Sequence, residues 1–385
     1  MIGVCIKYFH ENYGGMLQAY ATTAMLEQRG LSYELIQYEK QRTLPGMVRA
    51  LPRLLNGVLL NDKYEAFLKK MGMRRHPELA EKDAARMESF RSFKERHFCK
   101  LSPVFKGYDA LCSGARRYSA VVTGSDQLWS PAGLPTNYYN LMFVPEDIRK
   151  ISYASSFGVK EIPWYQRGRT AAFLNRIEYI STRENRGSEI VRELTGRVVP
   201  TILDPVFMFD RTGWEKLIPV KTELEGPYIF AYFLGSETAH REAVKQAAKA
   251  LGCRIVTVPH MDQYVAADED FGDIALYDVG PDRFLNLLRG AAYVCTDSFH
   301  GSCFSIIHGK PFVTFNRYVE GSRHSKNSRI DTLCANLGLQ DRRFRGAAEL
   351  ANQLIAPVAW DAVAANLAKL KKETDAYLEE AFRGV

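Results

Sequence analysis

The chain has 385 residues, of which 46% are hydrophobic and 12% aromatic, which is enough to build two globular domains. It contains no run of 18 apolar residues, so we expect no transmembrane helix. The net charge of +7 is concentrated between residues 40 and 100, where 15 Lys/Arg face 7 Asp/Glu. This uneven distribution argues against a general nucleic-acid binder, so we expect no nucleic-acid partner.

The cysteines and the amino terminus indicate a cytoplasmic protein. Seven cysteines are scattered without a CxxC pair, which argues against a zinc site or a disulfide framework and favours a reducing compartment. Residues 1–8 lack the basic region and the cleavage site of a signal peptide. We therefore predict a cytoplasmic location, no metal site and no tightly bound cofactor.

The first predicted unit is a strand over residues 2–8, a turn over 10–15 and a helix over 16–28, followed by a strand over 33–38. Two glycines in the turn allow backbone N–H groups to approach a ligand, although a tight structural turn explains them equally well. We take four residues here as candidates for the cleft or the acceptor site: Asn12, Tyr13, Gly14 and Gln18.

Residues 40–106 form a predicted basic helical insert. Within it, residues 44–60 follow an amphipathic pattern with a basic polar side, which Pro52 interrupts. Two interpretations remain open: two short helices packed on the domain, or a surface that contacts anionic lipid. Residues 63–99 continue as a charged helix.

Strands over 119–123, 151–155, 177–181 and 198–203 alternate with helices, which predicts a parallel sheet covered by helices. Small polar residues follow the first of these strands, and we take Ser125, Asp126 and Gln127 as further candidates for the cleft. Arg183 begins a helix, where its charge opposes the helix dipole. An anionic ligand, or a salt bridge with Glu184 or Glu189, would explain this placement.

The pattern restarts near residue 221, with strands over 228–234 and 254–258 and helices over 238–251 and 281–288. We therefore predict an α/β protein with two Rossmann-like doubly wound domains, 1–220 and 221–350, which face a cleft. The first domain is the expected acceptor side. Residues 351–385 are predicted to form a helix that packs back on the first domain.

Residues 291–316 combine a strand, a capped helix and a second strand, with polar residues where the first strand ends and the helix begins. Ligands bind at this edge of open α/β sheets, and a helix N-terminus favours an anion. Ser298, His300, Gly301 and Ser302 are therefore candidates for an anion site that contains a titratable group. A structural histidine at a capped helix is the alternative.

Several sequence blocks together resemble the polysaccharide pyruvyl transferase family. Their order and spacing hold from residue 1 to about residue 343, apart from the basic insert. The blocks are residues 12–20 (NYGGMLQAY), 124–129 (GSDQLW), 153–158 (YASSFG), 181–185 (STREN), 204–205 (DP), 296–307 (TDSFHGSCFSII), 310–312 (KPF), 327–330 (NSRI) and 337–342 (LGLQDR).

This resemblance implies a glycosyltransferase-B-like architecture. It also implies transfer of pyruvate from phosphoenolpyruvate onto two sugar hydroxyls as a cyclic ketal, in cell-surface polysaccharide synthesis, with His300 and Arg183 as catalytic residues. Some relatives have Arg-Leu-His-Gly where this chain has Ser298-Phe-His-Gly. The cation that binds phosphate must therefore come from elsewhere. The candidates are Arg183, Lys310, Arg317, Arg323 and Lys326.

Ketal formation needs a proton donor and cations that hold the phosphate and the carboxylate. The helix N-terminus favours a neutral imidazole and a bound phosphate favours the charged form, so we expect His300 to act as an acid mainly when donor is bound. It either protonates carbon or only holds the phosphate. We predict a cradle formed by the helix end and a loop of the second domain with Arg183 across the cleft, so that donor binding draws the domains together.

Two other functions fit the same fold. One is a nucleotide-sugar-dependent glycosyltransferase, whose helix-end site holds a diphosphate. The other is a non-catalytic glycan-binding protein. The acceptor sugar is free to be lipid-linked, nucleotide-linked or polymeric, and a lipid-linked acceptor would agree with peripheral contact between the basic insert and the inner face of an anionic membrane.

Overall fold

The computed structural model describes residues 1–41, 64, 77–131, 136–261, 264–318 and 327–385. The amphipathic segment predicted over residues 44–60 lies outside the described residues. In the described part of the chain, no helix is both long enough and apolar enough to cross a membrane.

The first domain is built on a six-stranded parallel sheet in the order β3-β2-β1-β4-β5-β6. Its strands are β1 (Ile2–Cys5), β2 (Tyr33–Glu39), β3 (Leu101–Lys106), β4 (Ala120–Thr123), β5 (Arg149–Ser155) and β6 (Tyr179–Thr182). Its helices are α1 (Tyr13–Gln28), α2 (Pro77–His97), α3 (Tyr108–Ala115), α4 (Arg167–Arg176) and α5 (Asn185–Thr195).

The second domain is built on a five-stranded parallel sheet in the order β11-β10-β7-β8-β9. Its strands are β7 (Tyr228–Tyr232), β8 (Arg254–Thr257), β9 (Ile274–Ala275), β10 (Tyr293–Thr296) and β11 (Phe312–Thr314). The remaining helices are α6 (Arg211–Leu217), α7 (Thr238–Leu251), α8 (Pro281–Gly290), α9 (Phe299–Ile307), α10 (Ser328–Leu337), α11 (Ala347–Ile355) and α12 (Trp360–Ala381). The predicted class, α/β with two Rossmann-like domains, is confirmed.

Both sheets reverse their strand order at one point, between β1 and β4 in the first and between β7 and β10 in the second. A crevice opens beyond the carboxyl ends of the strands at such a point, and ligands bind there. In the second sheet, Asp297 links the loops that follow β10 and β7. Its carboxylate accepts hydrogen bonds from the backbone N–H groups of Leu234 and Gly235 at 2.7 and 2.8 Å. Asp297 is therefore a structural residue that fixes the loop before α9.

Two predicted elements differ from the structure. The predicted helical insert ends in α2 and the edge strand β3, so residues 77–106 are part of the first domain's sheet and its crossover. The sequence did not predict this strand because it contains Pro103, and proline is tolerated in a sheet only at an edge. Residues 198–203 contain no strand but only a bridge from Thr201 to Thr182, because Pro200 has no N–H to donate.

The domains contact each other through α1 and α2 on one side and α8 on the other. The Tyr13 ring stacks on Phe284 with centroids 4.5 Å apart, and its hydroxyl donates to the Val279 carbonyl at 3.1 Å. The C-terminal helix α12 lies on the first domain, where Thr374 Oγ1 accepts a hydrogen bond from the Leu203 N–H. Tyr377 donates to the Ser152 carbonyl at 2.7 Å. The chain ends on the domain in which it began.

Candidate active site

A single buried carboxylate, that of Asp204, lies at the centre of the candidate site. Its Oδ2 accepts hydrogen bonds from Ser125 Oγ at 2.9 Å and from Arg183 Nη1 at 2.7 Å. The same oxygen lies 3.4 Å from His300 Nε2. These partners follow β4, precede α5 and belong to α9, so Asp204 joins residues from both domains at the carboxyl ends of their sheets.

The charges of this cluster stabilise one another. Burial alone would raise the pKa of Asp204, but His300 and Arg183 outweigh it and hold the pKa well below its usual value. Burial would likewise lower the pKa of Arg183, and the carboxylates of Asp204, Asp126 and Glu184 raise it instead. Asp204 and Arg183 therefore form a buried ion pair that stays charged at neutral pH.

Arg183 pairs with Asp204, and not with either glutamate predicted as its partner. Glu184 Oε1 accepts hydrogen bonds from the Ser156 hydroxyl and from the Phe157 N–H, and Glu189 pairs with Arg186. Among the described residues, Nε and Nη2 of Arg183 have no hydrogen-bond partner, although they are buried. The guanidinium thus keeps unused donors.

His300 is buried between the two domains. On one side lies the Asp204 carboxylate, and on the other lies Gly14 at the start of α1. A Cβ atom added to Gly14 would lie 2.2 Å from Nδ1 of His300, so only glycine leaves room for the imidazole at this distance. Gly14 and His300 come from different domains, and their contact fixes how closely α1 approaches α9.

The free amides at the start of α9 differ from those predicted. Ser298 caps the helix and accepts the Gly301 N–H at its hydroxyl, while its carbonyl accepts the Ser302 N–H and, at 3.2 Å, the Ser302 hydroxyl. Gly301 and Ser302 thus have no free N–H for a ligand. In the described chain, the N–H groups of Phe299 and His300 have no acceptor, so these two are the free amides at this end of the helix.

Asp126 brings a second carboxylate to Arg183, with Oδ1 3.7 Å from Nη2. Its backbone has a positive φ of 77°, which is uncommon outside glycine. Burial would raise the pKa of Asp126, but Lys7 and Arg183 lower it to about 2. Lys7, which follows β1, is a further cation of this region that the sequence analysis did not select.

Arg329 was also not selected, although its block of the family resemblance, residues 327–330, was recognised. Two guanidiniums lie near the Phe299 ring, with Arg183 at 4.5 Å and Arg329 at 5.8 Å from its centroid. With the Gln127 amide oriented so that its oxygen faces Arg329, that oxygen accepts from Nη1 and Nη2 at 3.1 and 2.8 Å. A cavity of about 30 Å³ adjoins Arg183, Asp204, Phe299 and Arg329.

Three of the predicted cleft residues have structural contacts instead. Asn12 caps α1 and accepts the Gly15 N–H at 2.8 Å, and Tyr13 lies in the domain interface described above. Gln18 is fully buried and donates to Thr22 at 2.8 Å. The structure does bring Gly14, Ser125, Asp126 and Gln127 to the cluster around Asp204.

The predicted donor-binding cations are placed differently from one another. Lys310 lies at the far end of α9, where its ammonium donates to the Ala291 carbonyl at 3.0 Å, so the structure does not bring it to His300. The reason is geometric, since a helix separates the two residues. Arg317 lies beside Gly235 and Asp297 at the ligand-binding edge of the second sheet. Arg323 and Lys326 are outside the described residues.

Taken together, the site offers buried cations, free helix amides and an imidazole that faces a carboxylate. This set suits an anionic substrate that needs a proton. A search of the described ranges finds no group of three His, Cys, Asp or Glu side chains that could hold a metal ion.

We expect Asp204→Asn to lower the free energy of unfolding by about 3 kcal/mol or more, because it leaves the Arg183 charge buried with only a distant partner. Asp126→Asn is the matched control, since its carboxylate is partly exposed and 3.7 Å away, and should cost about 1 kcal/mol or less. Urea unfolding of both variants measures the difference. Equal losses would contradict a central role for Asp204.

Comparison with known proteins shows little sequence similarity outside one family. Curated protein sequences gave no match. Among solved structures, UDP-GlcNAc 2-epimerase from Neisseria meningitidis is 9% identical, with a TM-score of 0.48 over 99% of this chain and 93% of that chain. Arabidopsis thaliana UGT89C1 is 12% identical, with a TM-score of 0.45 over 100% and 95%. E. coli ADP-heptose LPS heptosyltransferase II is 10% identical, with a TM-score of 0.33 over 97% and 99%.

These structural similarities are too distant to bear on the function of this chain. A family model gives the assignment instead. The model for polysaccharide pyruvyl transferase matches residues 12–317, a range that includes Gly14, Ser125, Arg183, Asp204 and His300. The chain belongs to the polysaccharide pyruvyl transferase family, and it is a transferase.

Proposed function

We propose that this enzyme transfers pyruvate from phosphoenolpyruvate to two hydroxyls of a sugar, forming a cyclic ketal during synthesis of a cell-surface polysaccharide. The observation that carries the proposal is the convergence of His300, Arg183 and Asp204 at the domain interface of a member of this family. A buried cation and an imidazole beside one carboxylate supply the two requirements of the reaction, anion binding and proton transfer.

The donor phosphate binds at the start of α9 in this proposal. The N–H groups of Phe299 and His300 point to that end, and the helix dipole favours an anion there. Neutral donors alone leave a multiply charged phosphate undercompensated, and Arg183 supplies a cation from the other domain. The adjoining cavity of about 30 Å³ holds little more than one water. The two domains already meet around His300, so donor entry requires these groups to move apart, in contrast to the expectation that donor binding draws the domains together.

The reaction is balanced in protons and electron pairs. A proton adds to the methylene carbon of the donor, whose double-bond electrons form the new C–H bond and leave an oxocarbenium-like centre. One sugar hydroxyl adds to this centre and loses its proton. The C–O bond to phosphate then breaks with its electron pair on phosphate, and the second hydroxyl closes the ring. Of the two hydroxyl protons, one replaces the proton given to carbon and the other leaves with phosphate.

His300 is the proton donor in this scheme, and Asp204 is its positioning residue. The carboxylate faces the ring, with Oδ2 3.4 Å from Nε2, and Nε2 has no hydrogen-bond partner among the described residues. Arg183 neutralises charge on the departing phosphate through its unused N–H groups. The sugar acceptor approaches from the side of the first domain.

A prediction concerns His300 and the donor. His300→Ala should lower ketal formation by at least about a hundredfold, the effect of losing a general acid, while calorimetry still detects phosphoenolpyruvate because the cations remain. His240→Gln is the control. His240 belongs to α7, outside the site, and its ring packs against Phe315 and Phe344. Tight binding of a nucleotide sugar without a response to phosphoenolpyruvate would reject the proposal and favour a glycosyltransferase. Normal turnover by His300→Ala would exclude His300 as the acid.

A second prediction follows from the contact between Gly14 and the His300 ring. Gly14→Ala should lower turnover by about tenfold or more, because the added methyl displaces the imidazole from its working position. Gly168→Ala is the matched control, since its Cβ would enter open space on α4. The two variants are compared by turnover and by thermal midpoint. Equal turnover would show that the spacing of α1 and α9 is not needed for the reaction.

We also propose that the acceptor is lipid-linked and that residues 44–60 bring the enzyme to an anionic membrane. Each basic residue near such a surface contributes about 1 kcal/mol of binding. Vesicle sedimentation should show pelleting with anionic vesicles that high salt weakens and that Arg49→Ala with Arg53→Ala reduces. Arg116→Ala, which removes an exposed arginine outside this segment, is the control. Equal pelleting with neutral and anionic vesicles, or none, would contradict the proposal.

A further inference from the structure

Arg329 is placed where an unpaired positive charge is costly. It is the second residue of α10, near the positive end of the helix dipole. Its Nε is buried and has no hydrogen-bond partner among the described residues. Burial and the neighbouring Arg183 charge lower the pKa of Arg329 to about 10, so the residue is still charged at neutral pH. Such a placement requires an explanation in the site itself.

The partner of Arg329 is an amide rather than a carboxylate. The Gln127 oxygen accepts both terminal nitrogens of the guanidinium at 3.1 and 2.8 Å. Arg183, by contrast, has the Asp204 carboxylate at 2.7 Å. In the described part of the chain, no carboxylate forms an ion pair with Arg329, and Glu184 and Asp126 act on it only from a distance. Gln127 thus holds the guanidinium fork in place and leaves its charge available.

The two arginines form a pair around one aromatic ring. Their guanidinium carbons lie 4.5 and 5.8 Å from the Phe299 centroid, and Phe299 carries one of the two free N–H groups of α9. Both arginines therefore lie close to the end of the helix to which the donor phosphate is assigned. If the donor has two anionic groups, each group can contact its own arginine.

We propose that Arg329 binds the carboxylate of the donor. The inference rests on the proposed function, since it assumes phosphoenolpyruvate as donor. Arg183 and the amides of α9 bind the phosphate, which leaves the carboxylate for Arg329. A planar guanidinium fits a carboxylate with two parallel hydrogen bonds, and the Gln127 oxygen already accepts from the same two nitrogens. The donor carboxylate displaces Gln127 when it binds.

This assignment makes Arg329 a determinant of donor specificity. A ligand with a phosphate but no carboxylate gains nothing from Arg329, whereas phosphoenolpyruvate gains a charge-assisted bidentate contact. Gln127→Glu tests the same site without changing Arg329, because it keeps the size of the side chain and adds one negative charge beside the guanidinium. Glutamate at this position would pair with Arg329 and compete with the donor carboxylate.

The test is calorimetric binding of phosphoenolpyruvate and of inorganic phosphate to the full chain. Arg329→Gln should lower the affinity for phosphoenolpyruvate about tenfold or more. It should lower the affinity for inorganic phosphate by less than about threefold, because only phosphoenolpyruvate has a carboxylate. Arg329→Lys should restore part of the affinity, since it keeps the charge but not the fork. Gln127→Glu should lower the affinity for phosphoenolpyruvate by a similar factor. It should also raise the thermal midpoint of the protein, because the new carboxylate completes a buried ion pair with Arg329.

The outcomes separate this inference from the proposed function. Wild-type protein that does not bind phosphoenolpyruvate would overturn both. If Arg329→Gln and Gln127→Glu bind phosphoenolpyruvate as tightly as the wild-type protein does, only the role of Arg329 is overturned. Equal losses for phosphoenolpyruvate and phosphate in Arg329→Gln would overturn the assignment to the carboxylate. If Arg329→Gln fails to fold, Gln127→Glu decides, since it retains the arginine.

Discussion

The Asp204 carboxylate is the interaction on which the site depends. A buried charge persists only where its neighbours are charged or donate hydrogen bonds, and Asp204 obtains these neighbours from separate parts of the chain. Ser125 follows β4, Arg183 follows β6, and His300 belongs to the other domain. Moving any of these segments would leave a charge or a donor without its partner. The carboxylate thus couples the positions of two loops and one helix.

A steric constraint acts beside this electrostatic one. Each sheet reverses its strand order once, and the two points of reversal carry α1 and α9 at their carboxyl edges. The helices meet where Gly14 faces His300, and a methyl group there would overlap the imidazole. The Tyr13 ring, next in the chain, stacks on Phe284 of the second domain. One turn of α1 therefore fixes the domain spacing and the position of His300.

The sequence was informative where function follows from local rules. Alternating strands and helices predicted both sheets, and polar residues at strand ends predicted Ser125, Asp126 and His300, because parallel strands deliver their carboxyl ends to one edge. Local rules failed where partners are distant in the chain. Asp204 follows a segment mistaken for a strand, and its partners lie between 21 and 96 residues away. Lys310 was chosen for its charge, although α9 carries it away from the site.

The same reasoning explains why the helix end supplies different donors from those expected. A serine cap satisfies the amides of the third and fourth helical residues, so Gly301 and Ser302 are occupied and the first two amides stay free. Three helix starts, those of α5, α9 and α10, converge on this point with Arg183 and Arg329. Three buried or partly buried carboxylates, Asp204, Asp126 and Glu184, offset that positive potential, and each raises the pKa of Arg183. Among the described residues, these carboxylates leave the charge of Arg329 without a direct ion-pair partner, which is why the proposed carboxylate site lies at that arginine.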